Sequence, residues 1–316
     1  MPLFPKNDGT VVSQAPMAID RRWIMSYAAG VGDPNPAHYR AEDSGGLIAH
    51  PCMYWAISWP ALQTGLAECF SEPLRAKEKG KGVHFGEDLM IFSPIRSDMK
   101  VTMSCKIVSA TQKKNGTVIV SKHNMHDAFG TLLLTHWTTV FYRGVSLGSE
   151  MAPPLKNELP PVARVGQRDH IIAWWTIPIA WNEAHVYTEC SRIFNPIHTD
   201  NRIAAAAGLP SIILHGTCIL AKAVSEIRQR HASENGDVCR VSRLHVRSFA
   251  ANVLMPCVLT LRIFSVHRDA ALGELTSKYC PFPYIFFLFL TQAMFPPSSA
   301  RSTLGFNDGG RQGRDP

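Results

Sequence analysis

The sequence predicts an α+β protein in which one structural unit occurs twice. A motif of the form Asn-Pro-x-His stands at residues 35–38 and again at 195–198, and in each copy a second histidine then opens an apolar run. The copies also share a spacing, because Pro94 follows the first motif histidine by 56 residues and Pro256 follows the second by 58. Repeats that keep their register indicate duplicated structural units.

Each unit combines an apolar helix with alternating strands. Residues 51–66 and 215–228 are predicted as the two central helices, and the first is apolar nearly all round, as expected of a helix that a sheet surrounds. Pro60 is expected to kink or end the first of them. Residues 101–107 alternate with period two, and Asn-Gly at 115–116 indicates a hairpin turn. Further helices are predicted over 21–29, 183–189 and 200–207, and further strands over 118–121, 132–142 and 259–265.

The repeat divides the chain into units. We predict a first unit over residues 1–144, a proline-rich linker over 145–168 and a second unit over 169–276. The second unit is expected to be incomplete, because only 20 residues separate Pro256 from Thr276. The tail, 277–316, opens on a Phe/Pro/Leu-rich run without alternation, whose codons could contain an intron donor, a pyrimidine tract and an acceptor. We therefore predict a translated intron there, and a native apolar extension is the alternative.

Composition narrows the class of protein. The net charge is +7 and 46% of residues are apolar, and the basic residues form no run, so a packed core is expected and nucleic-acid binding is not. None of the eight cysteines is paired as C-x-x-C, which argues against zinc and for a reducing compartment. Residues 1–12 lack a signal-peptide pattern, and no apolar stretch reaches membrane-spanning length. We predict a cytoplasmic or organellar protein, not a secreted one.

The motif Gly-Asp-Pro-Asn-Pro-Ala-His at residues 32–38, with the His-Gly step at 215–216, resembles the signature of hotdog-fold (R)-specific enoyl-CoA hydratases and MaoC-like dehydratases. The resemblance covers residues 18–275 and is to the double-hotdog type, in which two antiparallel sheets each wrap a central helix. It implies a hydro-lyase that reversibly hydrates a trans-2-enoyl thioester to a (3R)-3-hydroxyacyl thioester. The implied substrate is an acyl-CoA or acyl-carrier thioester, with no metal or organic cofactor, and a homodimer is compatible with it.

The resemblance also implies the site residues. An Asp and a His of the motif hold the water and move the proton, which corresponds here to Asp33 and His38, with His198 in the second copy. The motif asparagines, Asn35 and Asn195, would orient them. The backbone N–H of Gly216 would stabilise the thioester oxygen, because helix N-termini present free N–H groups.

The two halves are unequal in these groups. The first half has the full set of side chains, but its central helix opens on Pro51, which has no N–H, so Cys52 N–H is the candidate donor there. The second half has Gly216 but carries Ile193 where the family has its Asp. In related double-hotdog enzymes the second half is usually active and the first admits the acyl chain. Catalysis by the first half, by an altered second half, or by neither all remain open.

Other functions and contacts also stay open. A non-catalytic thioester-binding or partner subunit is the alternative function, and an acyl thioesterase is the third. Ser225 and Glu226 are assigned to a solvated helix face. Arg243, His245 and Arg247 alternate on one strand and are candidates for a CoA phosphate, with an exposed strand face as the alternative. A peroxisomal location requires another C-terminus, because residues 314–316 are not a peroxisomal tripeptide.

Overall fold

The computed structural model describes residues 2–6, 11–40, 45–71, 81–148, 158–160, 173–235, 240–248, 252–267, 270–277 and 280–290. These residues form an α+β structure with one antiparallel sheet of eleven strands. Five helices accompany the sheet in this part of the chain: α1 Arg21–Val31, α2 Tyr54–Glu68, α3 Glu183–Ser191, α4 Asn201–Ala206 and α5 Gly216–Asn235. The first half contributes strands β1 Val12–Ser13, β2 Met17–Ala18, β3 Gly82–Ile91, β4 Lys100–Lys113, β5 Gly116–Asp127 and β6 Leu132–Arg143. The second half contributes β7 Ala173–Ile179, β8 Val241–Ser248, β9 Cys257–His267, β10 Ala270–Ser277 and β11 Cys280–Leu290.

The strand order shows the duplication directly. The path through the sheet is β1-β4-β5-β6-β3 in the first half and β8-β11-β10-β9-β7 in the second, and β3 pairs with β8 to join them edge to edge. The strand order of the second half is therefore that of the first half read in the opposite direction along the sheet. β11 takes the position in the second half that β6 takes in the first.

The second unit was expected to stop near residue 276, but strand β11 continues the sheet to Leu290. Whether these codons belong to the mature message stays a prediction, which sequencing the spliced transcript would test. Residues 291–316 lie outside the described residues. So does most of the predicted linker, although Glu158 within it binds Lys106 and Lys122 of the first half, with N–O distances of 2.9 and 3.3 Å.

The predicted hairpin and central helices are confirmed. Strands β4 and β5 join through a turn at residues 114–115, and Gly116 follows at φ +150°, where an added Cβ would meet the Tyr142 carbonyl oxygen at 2.2 Å. Helix α2 continues through Pro60 to Glu68, so this proline does not end the helix. The sequence did not predict β3, because Gly86, Glu87 and Asp88 interrupt its apolar pattern.

The core lies between the sheet and the two long helices. Buried side chains of α2 and α5, among them Trp55, Ile57, Ile219 and Val224, pack with strand residues of both halves in one continuous cluster. Burial of this apolar area is the main stabilising term for such an arrangement. None of the described helices is long and apolar enough to cross a membrane.

Helices α1 and α3 meet at the junction of the two halves. Trp23 of α1 donates from Nε1 to the Cys190 carbonyl of α3 at 3.1 Å. An added Cβ at Gly30 would lie 2.7 Å from Cys190 Sγ, closer than van der Waals contact. The close approach of the two helices therefore depends on a glycine at this position.

We expect Gly30→Ala to lower the free energy of unfolding by up to about 2 kcal/mol. Overpacking typically costs about 1–3 kcal/mol, which exceeds the helix-propensity gain of about 1 kcal/mol. Urea unfolding followed by fluorescence measures this, with Ala29→Ser as the control because Ala29 is exposed on the same helix. An unchanged or raised midpoint for Gly30→Ala would show that Cys190 moves aside without cost.

Candidate active site

The repeated motif builds the same loop in both halves. In each copy the asparagine side chain caps a short 3-10 helix, residues Pro36–His38 and Pro196–His198, by accepting the backbone N–H two residues on. The motif histidine at the end of each 3-10 helix then directs Nδ1 at a backbone carbonyl. The distances are 2.6 Å from His38 to Ile48 and 2.8 Å from His198 to Ile213. Because Nδ1–H donates there, Nε2 is the acceptor nitrogen of both rings.

An arginine from the second half contacts both Asp33 and His38, the candidate pair of the first half. The Nε2 atom of His38 and that of His50 each lie 3.4 Å from Asp33 Oδ2. Arg228 of helix α5 reaches this point, and its NH1 lies 2.6 Å from Asp33 Oδ2 and 3.2 Å from His38 Nε2. A single guanidinium nitrogen therefore donates to both groups that would otherwise activate a water.

The environment of this pair favours a structural role. The Asp33 and His38 side chains have no exposed surface. Burial raises the pKa of Asp33, but the neighbouring His38 and His50 side chains and the Arg228 guanidinium together hold it below its ordinary value. The carboxylate is thus ionised and paired. Both ring nitrogens of His38 are engaged, Nδ1 with the Ile48 carbonyl and Nε2 with Arg228 NH1.

The first-half helix start offers no backbone donor either. Cys52 N–H donates to His50 Nδ1 at 3.1 Å, so the suggested oxyanion role of Cys52 is not supported. His50 Nε2 lies 3.1 Å from Ser225 Oγ of α5. Ser225 is buried, and its assignment to a solvated face is therefore wrong. A cavity of about 340 Å³ beside this cluster is lined by Asn35, His50 and Arg228, but neither Asp33 nor His38 reaches it.

The second half opens onto a cavity of about 380 Å³. His198, Asn195 and Gly216, the three second-half residues that the motif predicts, all line it. The opposite wall comes from the first half, chiefly from helix α2 and strands β3 and β6. Its described members are Trp55, Trp59, Leu62, Gly82, Val83, His84, Thr138, Val140 and Tyr142. The geometry therefore brings the second-half motif together with a largely apolar wall of the first half.

The electrostatics of this cavity suit a neutral base. Burial lowers the pKa of His198 to about 4, although its hydrogen bond with Ile213 opposes the shift. The ring stacks on His215 with 3.6 Å between ring centroids. Burial also lowers the pKa of His215, so that both rings are neutral near pH 7. Ile193 lines the cavity in place of an acid, and no described lining residue carries a carboxylate.

Gly216 occupies the first position of helix α5. The first N–H groups of a helix have no acceptor within it and carry the positive end of its dipole. In the first half a short 3-10 helix, Pro51–Met53, leads into α2, and Pro51 at its first position lacks this N–H. The second half is therefore the one that offers a backbone donor at the start of its central helix.

Four side chains of the second half contact the first half in ways that the sequence did not predict. Arg228 and Ser225 lie three residues apart on α5 and enter the first-half site from the other half, which no local pattern indicates. Arg243 and His245 contact the buried Asp88 of β3, with shortest distances of 2.6 and 2.9 Å, so these two side chains are engaged within the sheet. The side chain of Arg247 lies outside the described residues.

The His, Cys, Asp and Glu side chains of the described residues were also compared with the arrangements that bind metal ions. Within the described ranges, no three His, Cys, Asp or Glu side chains are grouped so that they could hold a metal ion.

Family models match both halves of the chain. Residues 8–135 match the FAS1-like dehydratase domain region, and residues 170–274 match the MaoC-like domain. Among curated relatives, peroxisomal multifunctional enzyme type 2 of Drosophila melanogaster is 24% identical over 67% of this chain and 36% of its own length. The peroxisomal enoyl-CoA hydratase 2 of Arabidopsis thaliana is 26% identical over 46% of this chain and 48% of its own. The chain thus spans between a third and half of these relatives.

Solved structures agree in fold. The crystal structure of a MaoC-like dehydratase from Phytophthora capsici superposes with a TM-score of 0.75 at 19% identity, covering 90% of this chain and 96% of that one. The predicted double-hotdog architecture is confirmed, with each half of the sheet accompanied by one central helix. One dehydratase-type domain model thus matches each half of this chain, and its fold is that of the MaoC-like double-hotdog proteins.

Proposed function

We propose that the protein is a hydro-lyase that reversibly hydrates a trans-2-enoyl thioester to the (3R)-3-hydroxyacyl thioester in its second-half cavity. One observation carries the proposal. His198, Asn195 and Gly216 line a single cavity, whereas Asp33 and His38 are sealed and hydrogen-bonded to Arg228. The family matches in both halves support hydratase or dehydratase chemistry on acyl-CoA thioesters in general.

The proposed reaction uses the His198 tautomer that carries its proton on Nδ1, where it donates to the Ile213 carbonyl. His198 Nε2 takes a proton from water as the water oxygen bonds to the β-carbon and the carbon–carbon π electrons move toward the thioester carbonyl. The Gly216 N–H stabilises the negative charge that grows on that oxygen. The protonated His198 then gives this proton to the α-carbon, since Ile193 stands where the family has its carboxylate. Dehydration runs through the same steps in reverse.

The first-half wall supports an acyl thioester as the ligand. Trp59, Leu62, Val83 and Val140 present apolar surface to the cavity that also contains His198. A cavity of this size with an apolar wall and a few polar groups at one end is typical of small-molecule sites. We propose that the acyl chain lies along this wall, while the CoA or carrier portion remains outside.

We expect Gly216→Pro to lower kcat by about 10²- to 10³-fold, because it removes the proposed backbone donor to the oxyanion. Proline is well tolerated at the first helical position, and the first half already carries Pro51 there, so the fold should persist. Steady-state hydration of short and long trans-2-enoyl-CoA measures the effect. Gly216→Ala, which keeps the backbone N–H, is the control and should retain kcat within threefold. Full activity of Gly216→Pro would place the oxyanion donor elsewhere.

A non-catalytic thioester-binding protein is the second candidate. The replacement of the motif acid by Ile193 and the closure of the other site by Arg228 both favour it. Calorimetric binding of acyl-CoA without turnover of any enoyl or hydroxyacyl thioester would establish this role. Product analysis also separates the third alternative, since a thioesterase releases free thiol and a hydratase leaves the thioester intact.

We propose an organellar location, with the peroxisome as the first to examine. The names of both curated relatives place them there. Imaging a tagged protein expressed from its native transcript tests this. Diffuse cytoplasmic signal from that form would contradict it.

A further inference from the structure

The first half contains a cavity of its own, the first-half cavity, beside the sealed Asp33 and His38 pair. Its volume is about 340 Å³, close to the 380 Å³ of the second-half cavity. The repeat relates four positions that line both cavities: Asn35 to Asn195, Ile48 to Ile213, His50 to His215 and Pro51 to Gly216. Duplication of the unit has therefore left one cavity beside each motif loop.

The first-half cavity lacks the groups that the proposed hydration uses. Neither Asp33 nor His38 is among the residues that line it. Pro51 has no N–H, and the Cys52 N–H donates to His50. A molecule in this cavity would therefore be bound without being hydrated.

Most of the wall of the first-half cavity is apolar. Strands β3, β6 and β8 and the segments 48–51 and 94–95 supply this surface. The apolar residues that line it are Ala37, Ile48, Ala49, Pro51, Ile91, Pro94, Ile95, Leu134 and Val241. The volume is near the lower end of the range for small-molecule pockets, about 300–1,000 Å³. The wall therefore suits a short or medium-length alkyl chain.

Arginine is the only charged residue type among the described residues that line this cavity. Two of the three arginines are engaged within the chain. Arg228 is paired with Asp33, and Arg240 donates at 2.6 Å to the carbonyl of the residue that follows β3. The third arginine is Arg96, which lies between β3 and β4.

Arg96 has the chemistry to bind an anion. It is half-buried, and its NH1 donates to the Gly45 carbonyl at 3.2 Å. In the part of the chain that the structure describes, no carboxylate pairs with its guanidinium, which is always ionised. A guanidinium has five N–H groups and binds a carboxylate through two parallel hydrogen bonds. A carboxylate is therefore the ligand group that Arg96 favours.

Arg96 and Asn35 lie at the same end of the cavity. Ile48 connects them, because its backbone forms an antiparallel bridge with Arg96 and its N–H donates to the Ala37 carbonyl at 2.8 Å. The amide nitrogen of Asn35 is buried and has no hydrogen-bond acceptor within the described ranges. An amide NH₂ group is a donor to carboxylate oxygens. This end of the cavity therefore offers polar donors, and the rest of its wall is apolar.

We propose that the first-half cavity is a non-catalytic binding site for a free carboxylic acid with a short or medium-length alkyl chain. The carboxylate binds Arg96, and the alkyl chain packs against Ile91, Ile95 and Leu134. The site is separate from the second-half cavity and does not require the hydratase function.

Calorimetric titration of the full chain with octanoate and with 1-octanol tests the site. We expect octanoate to bind with a Kd below about 1 mM. We expect 1-octanol to bind about tenfold more weakly or less tightly still, because it has the same alkyl chain but no charge for Arg96. His198→Ala should leave the Kd of octanoate unchanged, since His198 lines the other cavity.

Arg96→Gln addresses the polar end of the site. It removes the charge and should weaken octanoate binding by about tenfold or more, with little effect on 1-octanol. Arg143→Gln is the matched control, because Arg143 is an exposed arginine of β6 that does not line the cavity. Its Kd for octanoate should equal that of the wild type.

The double variant Ala37→Ile with Ala49→Leu addresses the apolar wall. It introduces the residue types that the second half carries at the corresponding positions, Ile197 and Leu214, so the loop should still form. The larger side chains reduce the space for the alkyl chain. Binding of octanoate and of 1-octanol should therefore weaken together, in contrast to the effect of Arg96→Gln.

The absence of saturable octanoate binding to the folded wild type overturns the site. So does a Kd for folded Arg96→Gln within about threefold of the wild type. Loss of octanoate binding in His198→Ala would place the acid in the second-half cavity and also overturn it. Thermal melts identify variants that have lost their fold. Hydration of trans-2-enoyl-CoA is measured in parallel, and a wild type that binds octanoate but hydrates no thioester contradicts the hydratase function alone.

Discussion

His198→Ala is expected to lower kcat for trans-2-enoyl-CoA hydration by about 10²- to 10⁴-fold, the usual contribution of a positioned acid–base group. The His198 Nδ1–H is held by the Ile213 carbonyl at 2.8 Å, which leaves Nε2 as the acceptor at the cavity. No described lining residue offers a carboxylate that could replace it. Initial rates with short and long enoyl thioesters measure the loss.

His38→Ala is the matched control for this variant. The two histidines have the same place in the repeat and the same Nδ1 contact, but His38 Nε2 accepts from Arg228 and does not reach a cavity. Hydration by folded His38→Ala should stay within threefold of the wild type. If His38→Ala or Asp33→Asn abolishes turnover while His198→Ala retains it, the first half is the catalytic one and the assignment of His198 is wrong.

The pH dependence offers an independent check. A base that must be neutral loses activity as pH falls through its pKa, and burial lowers the pKa of His198 to about 4. The acid limb of kcat/KM in the free enzyme is therefore expected near pH 4, below the ordinary value of a histidine. An acid limb at about pH 6.5 would indicate an exposed base. Acid also lowers the stability of the fold. The rate at each pH is therefore divided by the fraction of folded protein measured at that pH.

Arg228→Met is expected to destabilise the protein by about 3–5 kcal/mol, the usual cost of removing one partner of a buried ion pair. Arg228 is buried, and its NH1 lies 2.6 Å from an Asp33 carboxylate that has no exposed surface. In the variant the buried Asp33 carboxylate loses its ion pair with the guanidinium, while the methionine side chain still fills much of the space. Urea unfolding with a linear extrapolation measures the difference.

Arg230→Met is the control. Arg230 lies two residues after Arg228 on the same helix, pairs with Glu226 and has a side chain that is 51% exposed. Exposed pairs contribute about 0–1 kcal/mol, so its unfolding midpoint should move little. Adding Asp33→Asn to Arg228→Met should recover part of the loss, since an amide can be buried at lower cost than an unpaired charge. Equal losses in Arg228→Met and Arg230→Met would contradict a buried pair.

Because of Asp33, we expect the free energy of unfolding of the wild type to fall in acid. Its pKa in the folded state is below the unfolded value of about 3.9. Such a group stabilises the fold fully above the unfolded pKa, and the contribution is lost as pH falls toward the folded pKa. The wild type and Arg228→Met should therefore differ most near neutral pH and converge in acid.

Much of the fold could be predicted from the chain. The duplicated motif, the apolar runs of the central helices and the alternation of β4 each depend on residues close together in sequence, so local pattern identifies them. The pattern failed at β3, where Glu87 and Asp88 stand within a central strand. Charged residues normally mark exposed segments, and only the partners that bury these two show why they belong there.

Local patterns in the chain indicate the two units, the loops that present His38 and His198, and the replacement of the motif acid by Ile193. Which of the two loops faces a cavity follows from the packing of the halves. Helix α5 carries Arg228 into the first-half site, and strand β3 carries His84 to the wall of the second. Both contacts join residues of opposite halves, and such contacts are set by how the halves pack, since no local preference of the chain encodes them.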